Sequence, residues 1–337
     1  MTEPVWSVCI AHYRGMATLA ACLDLVARQE GGNPVEIIVH DDASRDESVE
    51  FIRQHYPTVV LIESQENVGF CVANNRMAGR AQGEFLLLLN NDAVLWPDAL
   101  ATLLAAARAL GWPAILSLPQ YEWETGELLD RGSRLDPLLN PVPNRNPDRH
   151  EVGLVMGACL WIPRRLWAEL GGFPEWFGSI GEDLYWCCRA RLAGYPVRVL
   201  DRSGYRHQVG RSFGGGKVAA GRLATTYRRR ALSERNKAFV MVLTFPTPMF
   251  QVVFPLYLLL LLLEGTLLAL VKWDGRFLSE IYGPVFGALM CERRQLWQLR
   301  REIQRSGRLG AWRFWSVFQW IPYKLTALIR HGLPDVR

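Results

Sequence analysis

With 337 residues, 50% hydrophobic and 21% charged, the chain is long and apolar enough to bury the core of one large or two modest domains. Its net charge of +5 splits into an acidic front half, 16 bases against 26 acids up to Asp201, and two basic stretches, ten against one over 202–237 and twelve against five from Lys272 onward; nucleic acid, acidic lipids and diphosphates all suit such bases, and because no DNA- or RNA-binding motif accompanies them no nucleic-acid partner is expected. The seven cysteines, Cys9, Cys22, Cys71, Cys159, Cys187, Cys188 and Cys291, include no Cys-x-x-Cys pair, which speaks against a disulfide framework or a zinc site and for a reducing compartment.

In chain order, Met1 to Trp6 carries an acid and a proline where a signal peptide needs bases and an apolar run, so the front half is expected in the cytoplasm. Apolar periodicity then predicts strands at Val5–Ala11, Val35–His40, Val59–Glu63 and Phe85–Leu89, alternating with helices at Ala17–Gln29, Asp46–His55 and Val72–Ala81. This βαβ rhythm predicts an α/β fold with a parallel sheet covered by helices. The fourth strand stops at Asn90, Asn91 and Asp92; in such sheets ligands sit beyond the carboxyl ends of the strands, where loops diverge. Trp123–Glu151, rich in Pro, Asn, Asp and Gly, reads as a loop or small hairpin insertion bordering the crevice.

Two nucleotide motifs fail. The turn after the first strand, His12-Tyr13-Arg14-Gly15, has one glycine where a dinucleotide fingerprint needs three, and Gly214 to Lys217 lacks the first glycine and the hydroxyl of a phosphate loop. What remains is an ordered set over Val5 to Asn236: Val8 to Tyr13, Glu36 to Ser44, Asn67 to Phe70 with Ala73 to Asn75, Asn90-Asn91-Asp92, Gly157 to Leu160, Gly171-Gly172-Phe173, Gly181 to Leu184, Ala193-Gly194-Tyr195 and His207 to Ser212. In this order they resemble the family 2 glycosyltransferases with the GT-A fold, particularly bacterial rhamnosyltransferase-like members of polysaccharide assembly.

The resemblance implies roles. Asp42 would accept a hydrogen bond from the imide N–H of uracil or thymine, flanked by Ala11 and Tyr13; taken alone, the neighbouring Ser44 and Asp46 fit an Asx turn capping the next helix. Asn90-Asn91-Asp92 departs from the acidic Asp-x-Asp form, leaving Asp92 as the one carboxylate for Mg2+ or Mn2+, an ion that takes hard oxygen ligands and keeps waters and phosphate oxygens in its shell. Asn90 and Asn91 would contact the donor, with Asn91 on a ribose or sugar hydroxyl. Asp183, which with Glu182 opens a helix, would be the general base, with Glu182 supporting it or orienting the acceptor; acids there also suit the helix dipole by themselves. His207 would sit near the donor diphosphate and on the metal, while Arg211 and Ser212, followed by Gly214 to Gly216, suit a loop closing over phosphates.

From Phe239 to Val271 the chain is nearly uncharged, with Pro246, Pro248 and Pro255 breaking the run and Glu264 inside it. A helix or helical pair lying in the bilayer interface is favoured over a full span, which needs about 20 apolar residues. Downstream arginines, Arg293, Arg294, Arg300, Arg301, Arg305, Arg308 and Arg313, interleave with Trp297, Trp312, Trp315, Trp320 and Tyr323, a composition suited to anionic lipid headgroups. The expectation is a catalytic domain over 1–237 and a membrane-associating helical region over 238–337, on the cytoplasmic face of the inner membrane. The enzyme would be inverting and metal-dependent, passing a sugar from a dTDP- or UDP-linked donor, dTDP-rhamnose among them, to a glycan on a polyprenyl diphosphate. The alternatives are a polyprenyl phosphate sugar synthase and an inactive membrane-anchored nucleotide-sugar-binding protein.

Overall fold

The structure, a computed structural model, describes residues 4–209, 215–219, 222–333 and 335–337. They fall into two units, one of Met1–Ser133, Pro143–Asp183 and Tyr195–Gln208, the other of Arg134–Val142, Leu184–Gly194 and Val209–Arg337.

The first unit begins with β1 (Trp6–His12), α1 (Met16–Ala27), β2 (Val35–Asp41), α2 (Ser48–His55), β3 (Val60–Glu63), α3 (Phe70–Arg80) and β4 (Phe85–Asn90). The predicted alternation is present, with ends shifted by one or two residues. Along the chain come next β5 (Ala93–Leu95), α4 (Ala99–Leu110), β6 (Ile115–Ser117), β7 (Gln120–Glu122), β8 (Leu128–Asp130), β9 (Ser133–Leu135), β10 (Pro141–Pro143), β11 (Cys159–Pro163), α5 (Arg164–Leu170), α6 (Glu182–Leu192), β12 (Val197–Val199) and β13 (Tyr205–His207), of which β9, β10 and α6 fall mostly in the second unit. Trp123–Glu151 thus supplies three short strands.

A seven-stranded sheet runs β12-β6-β11-β4-β1-β2-β3. Strand β1 pairs in parallel with β2 and β4, and Trp6, Val8 and Ile10 are wholly buried beneath Leu19, Leu23, Leu100 and Leu103 of the covering helices. Strands buried on both faces read as continuous apolar runs, which is why Leu86 to Leu89 was conspicuous in the sequence. The sheet is mostly parallel, as the GT-A resemblance implies, with β11 antiparallel between β4 and β6. A second sheet, β5-β13-β7-β8, stands at the end of β4 and lays His207 opposite Ala93.

The second unit holds α7 (Tyr227–Thr244), which crosses the expected border at 237/238, then α8 (Thr247–Lys272), a π-helical turn at Phe277–Tyr282, α9 (Gly283–Cys291), α10 (Arg293–Arg305), α11 (Ala311–Trp315) and α12 (Tyr323–His331). It also holds β14 (Gly215–Ala219), β15 (Arg222–Thr225) and β16 (Asp335–Val336). The prolines do not break α8. Pro246 caps it and Pro248 lies in its first turn, where no N–H is needed, while Pro255 is accommodated inside. Helix α8 buries one narrow stripe, Tyr257, Leu261, Gly265 and Leu268, and leaves Leu259, Leu263, Leu267 and Leu270 exposed. Its one acid, Glu264, bonds Arg230 and Lys324, each at 2.8 or 2.7 Å, and Lys324 also meets buried Glu234.

Arg300 departs from the expected headgroup role. Its guanidinium is 5% exposed, donates to the carbonyls of Val242 and Phe245 at 2.6 and 2.9 Å, and covers the Phe250 ring. Arg293, Arg294, Arg301 and Arg305 are exposed as anticipated.

Candidate active site

The candidate residues of the first unit gather at the carboxyl edge of its sheet. Register sets Ala11 beside His40 on one side and Asn90 on the other. Tyr13 follows, 45% exposed, with the Arg14 guanidinium 5.2 Å from its ring centre.

Asp42 is buried, and its two carboxylate oxygens accept the backbone N–H groups of Val68 and Gly69 at 2.7 and 2.9 Å. This turn depends on glycine: Gly69 has φ +86°, and a Cβ there would meet the Gly178 carbonyl oxygen at 3.3 Å. Asp42 therefore anchors the entry to α3, whatever else it contacts. The adjacent Asp41 keeps one oxygen on the Ser44 N–H while its Oδ1 is buried without a hydrogen-bond partner among the described residues. Nothing in the residue pattern singles out Asp41; an unsatisfied buried carboxylate oxygen at a strand's carboxyl end is visible only in three dimensions.

Asn91 lies against the turn between β1 and α1. Its Nδ2 is 2.8 Å from Nδ1 of His12, a buried histidine whose pKa is pushed down by desolvation. His12 is a second residue that the sequence reading passed over.

Asp92 and His207, 115 positions apart, come together because β13 pairs with β5, the strand that follows Asp92. His207 Nε2 is 3.1 Å from Asp92 Oδ1, yet Oδ1 accepts no properly aligned hydrogen bond, and Asn90 Oδ1 is likewise buried and unpartnered among the described residues. A carboxylate and an amide oxygen with one imidazole nitrogen make a mixed oxygen and nitrogen donor set whose oxygens fit Mg2+ or Mn2+. Among the described residues no three His, Cys, Asp or Glu side chains cluster to hold a metal, so phosphate oxygens and waters would complete the shell.

Glu182 and Asp183 open α6, and both are held in place. Asp183 Oδ2 accepts the Gly157 N–H at 3.3 Å, and the next residue's carbonyl, Ala158, accepts the Asn90 N–H at 3.1 Å. Asp183 is thereby tied to the turn that feeds β11, beside the end of β4. Arg211 and Ser212 lie outside the described residues.

Residues 7–170 match the model of Glycosyl transferase family 2. The chain is 27% identical over 213 residues, 54% of its own length and 69% of the relative's, to an N-acetylglucosaminyl-diphospho-decaprenol L-rhamnosyltransferase of Mycobacterium tuberculosis. Among solved structures it resembles TarS 1–349 of S. aureus in complex with UDP (TM-score 0.52, 15% identity, 89% of this chain and 90% of that one). It also resembles the mannosyltransferase PcManGT from Pyrobaculum calidifontis in complex with GDP-Man and Mn2+ (TM-score 0.51, 19% identity, 98% and 86%). At these identities the structural likenesses show the fold alone, which is the GT-A fold.

Proposed function

This chain is a family 2 glycosyltransferase over residues 7–170, and from that premise we propose that it moves a sugar, with inversion, from a dTDP- or UDP-linked donor to a glycan carried on a polyprenyl diphosphate. The acceptor class follows the decaprenol-linked relative. The observation that carries the metal-dependent reading is the approach of His207 Nε2 to within 3.1 Å of Asp92 Oδ1, beside the buried and unpartnered Asn90 Oδ1. Asp92, His207 and Asn90 would hold Mg2+ or Mn2+, whose chemistry is to neutralise the departing diphosphate.

The protein's own groups do the rest. Ala11, Tyr13 and the Asp41–Asp42 edge take the nucleobase, with Asp41 Oδ1 the acceptor left for an imide N–H. Asn91 meets a ribose or sugar hydroxyl. Asp183, oriented by the Gly157 N–H, takes the proton of the acceptor hydroxyl as that oxygen bonds the anomeric carbon. The bond from that carbon to the diphosphate breaks on the opposite face, and the electron pair leaves with the diphosphate. Glu182 orients the acceptor. A positioned base contributes about 10² to 10⁴ in rate. Asp183→Asn is expected to lower kcat by that range while UDP or dTDP binding by calorimetry is retained; wild-type turnover in this variant removes Asp183 from the role.

The membrane reading belongs to the second unit alone. Helix α8 has 26 residues and a mean hydropathy of 2.2, with 22% of its most apolar stretch buried, so by length and composition it is sufficient to cross a bilayer. Glu264 fastens one side of it to Arg230 and Lys324, which favours a helix lying in the interface of the cytoplasmic leaflet, with Trp312 and Trp320 and the exposed arginines at headgroup level.

A further inference from the structure

His207 is held by more than Asp92. Gln120, opposite Tyr205 in the β7–β13 pairing, is 5% exposed and lies behind the imidazole, with its Nε2 3.2 Å from His207 Nδ1. The other end of that amide is occupied, since the hydroxyl of wholly buried Tyr205 donates to Gln120 Oε1 at 3.0 Å. On the far side of the ring, Asn90 Nδ2 is 3.4 Å from His207 Nε2. Both ring nitrogens thus face amide nitrogens, although a neutral imidazole accepts only one such bond. Which nitrogen keeps the proton depends on which way the amides turn.

We infer that Gln120, swivelled by Tyr205, is the positioning residue that sets the tautomer and plane of His207. The inference rests on the reading of His207 as a ligand of the divalent ion. With Nε2 of Gln120 toward the ring, Nδ1 accepts and the proton sits on Nε2, the nitrogen that faces Asp92. A ligating ring needs the reverse, a lone pair at Nε2 and N–H at Nδ1. Half a turn of the Gln120 amide supplies it, bringing Oε1 to the Nδ1–H and Nε2 to the Tyr205 oxygen. A phenol tolerates both states because its oxygen donates and accepts. One proton leaves Nε2 for solvent and one arrives at Nδ1, so the charge of the ring is unchanged. Gln120 and Tyr205 would therefore serve as a two-position rest for the histidine.

The test is a titration of the full chain with Mn2+ in the presence of UDP, with free Mn2+ read by electron paramagnetic resonance, so that no turnover is involved. Gln120→Leu is expected to weaken binding by about 10 to 100-fold, the usual cost of losing a partner behind a ligating histidine. Gln120→Glu, whose carboxylate accepts from Nδ1–H, is expected to bind at least as tightly as wild type, a rescue that a space-filling role would not give. Wild-type affinity in Gln120→Leu overturns the inference, as does equal loss in both variants when circular dichroism finds both folded. His207→Ala separates the two levels: unchanged Mn2+ affinity there defeats the ligand reading itself, whereas loss there without loss in Gln120→Leu defeats only the role of Gln120. If the Gln120 variants do not fold, nitrogen-15 NMR of the wild-type ring decides, with Nε2–H expected in the metal-free protein and Nδ1–H with Mg2+ and UDP; one tautomer in both states overturns the inference.

Discussion

Gly15 leaves a side chain no room: a Cβ there would stand 2.0 Å from Asn91 Nδ2, the atom bonded to His12. Its backbone, at φ −130°, is open to alanine, so Gly15→Ala isolates a steric effect. Asn91 must swing away and leave His12 unpaired, and we expect a loss of about 1 to 3 kcal/mol in urea unfolding. A neutral result would mean that the Asn91 amide moves without cost. Asp130 gives a pH signature. Held by Ser133 Oγ and the Asn144 N–H, it has its pKa pushed up to about 6 by burial, against an ordinary 3.8. A raised acid adds stability below its unfolded pKa and loses it as pH climbs through the folded one, so this contribution fades between pH 3.8 and 6. The unfolding free energy should fall from pH 5 to pH 7 more steeply in wild type than in Asp130→Asn, by about 1 kcal/mol. Identical slopes would exonerate Asp130. His12, Gln120 and Asp41 show what stayed hidden in the sequence: they are single residues without periodicity or spacing, and their importance arises from partners 79 or more positions away or from the lack of one.

Elements were more legible, because apolar runs and glycine stops report on their own neighbourhood. Strands β1, β2 and β4 were read within a residue or two, since β1 and β4 are buried almost throughout and β2 over its second half. Direction was not legible: periodicity carries no sign, and the antiparallel course of β11 follows from the long excursion before it. Arg300 misled for a related reason, as composition cannot tell a headgroup-facing arginine from one that caps a helix. Its two bonds to carbonyls at the end of α7 and its contact with Phe250 join α7, α8 and α10, and burial without a carboxylate partner pushes its pKa down to about 10. Arg300→Met keeps the bulk and abandons two buried carbonyls, so we expect about 2 to 4 kcal/mol of destabilisation in the urea unfolding of the full chain. A change below about 0.5 kcal/mol would show that water replaces the guanidinium.

At the scale of the whole molecule, the proposed membrane contact draws on the basic, aromatic end and not on the acidic front half. Co-sedimentation of the full chain with phosphatidylglycerol vesicles should exceed that with neutral vesicles and fall with salt. Arg293→Ala and Arg294→Ala together should remove about 1 kcal/mol per arginine, and Leu263→Glu should weaken binding to both vesicle types. Equal binding of the wild type to both lipids would refute the electrostatic part. The placement of β11 has a consequence of its own for biogenesis. When ribosomal synthesis has passed Asn90, the ladder β4-β1-β2-β3 can already close, but the greasiest strand of the four is left with a bare flank until Cys159–Pro163 emerges and covers it. For those intervening dozens of codons the nascent polypeptide carries a sticky ribbon edge, the window in which a chaperone would be most needed.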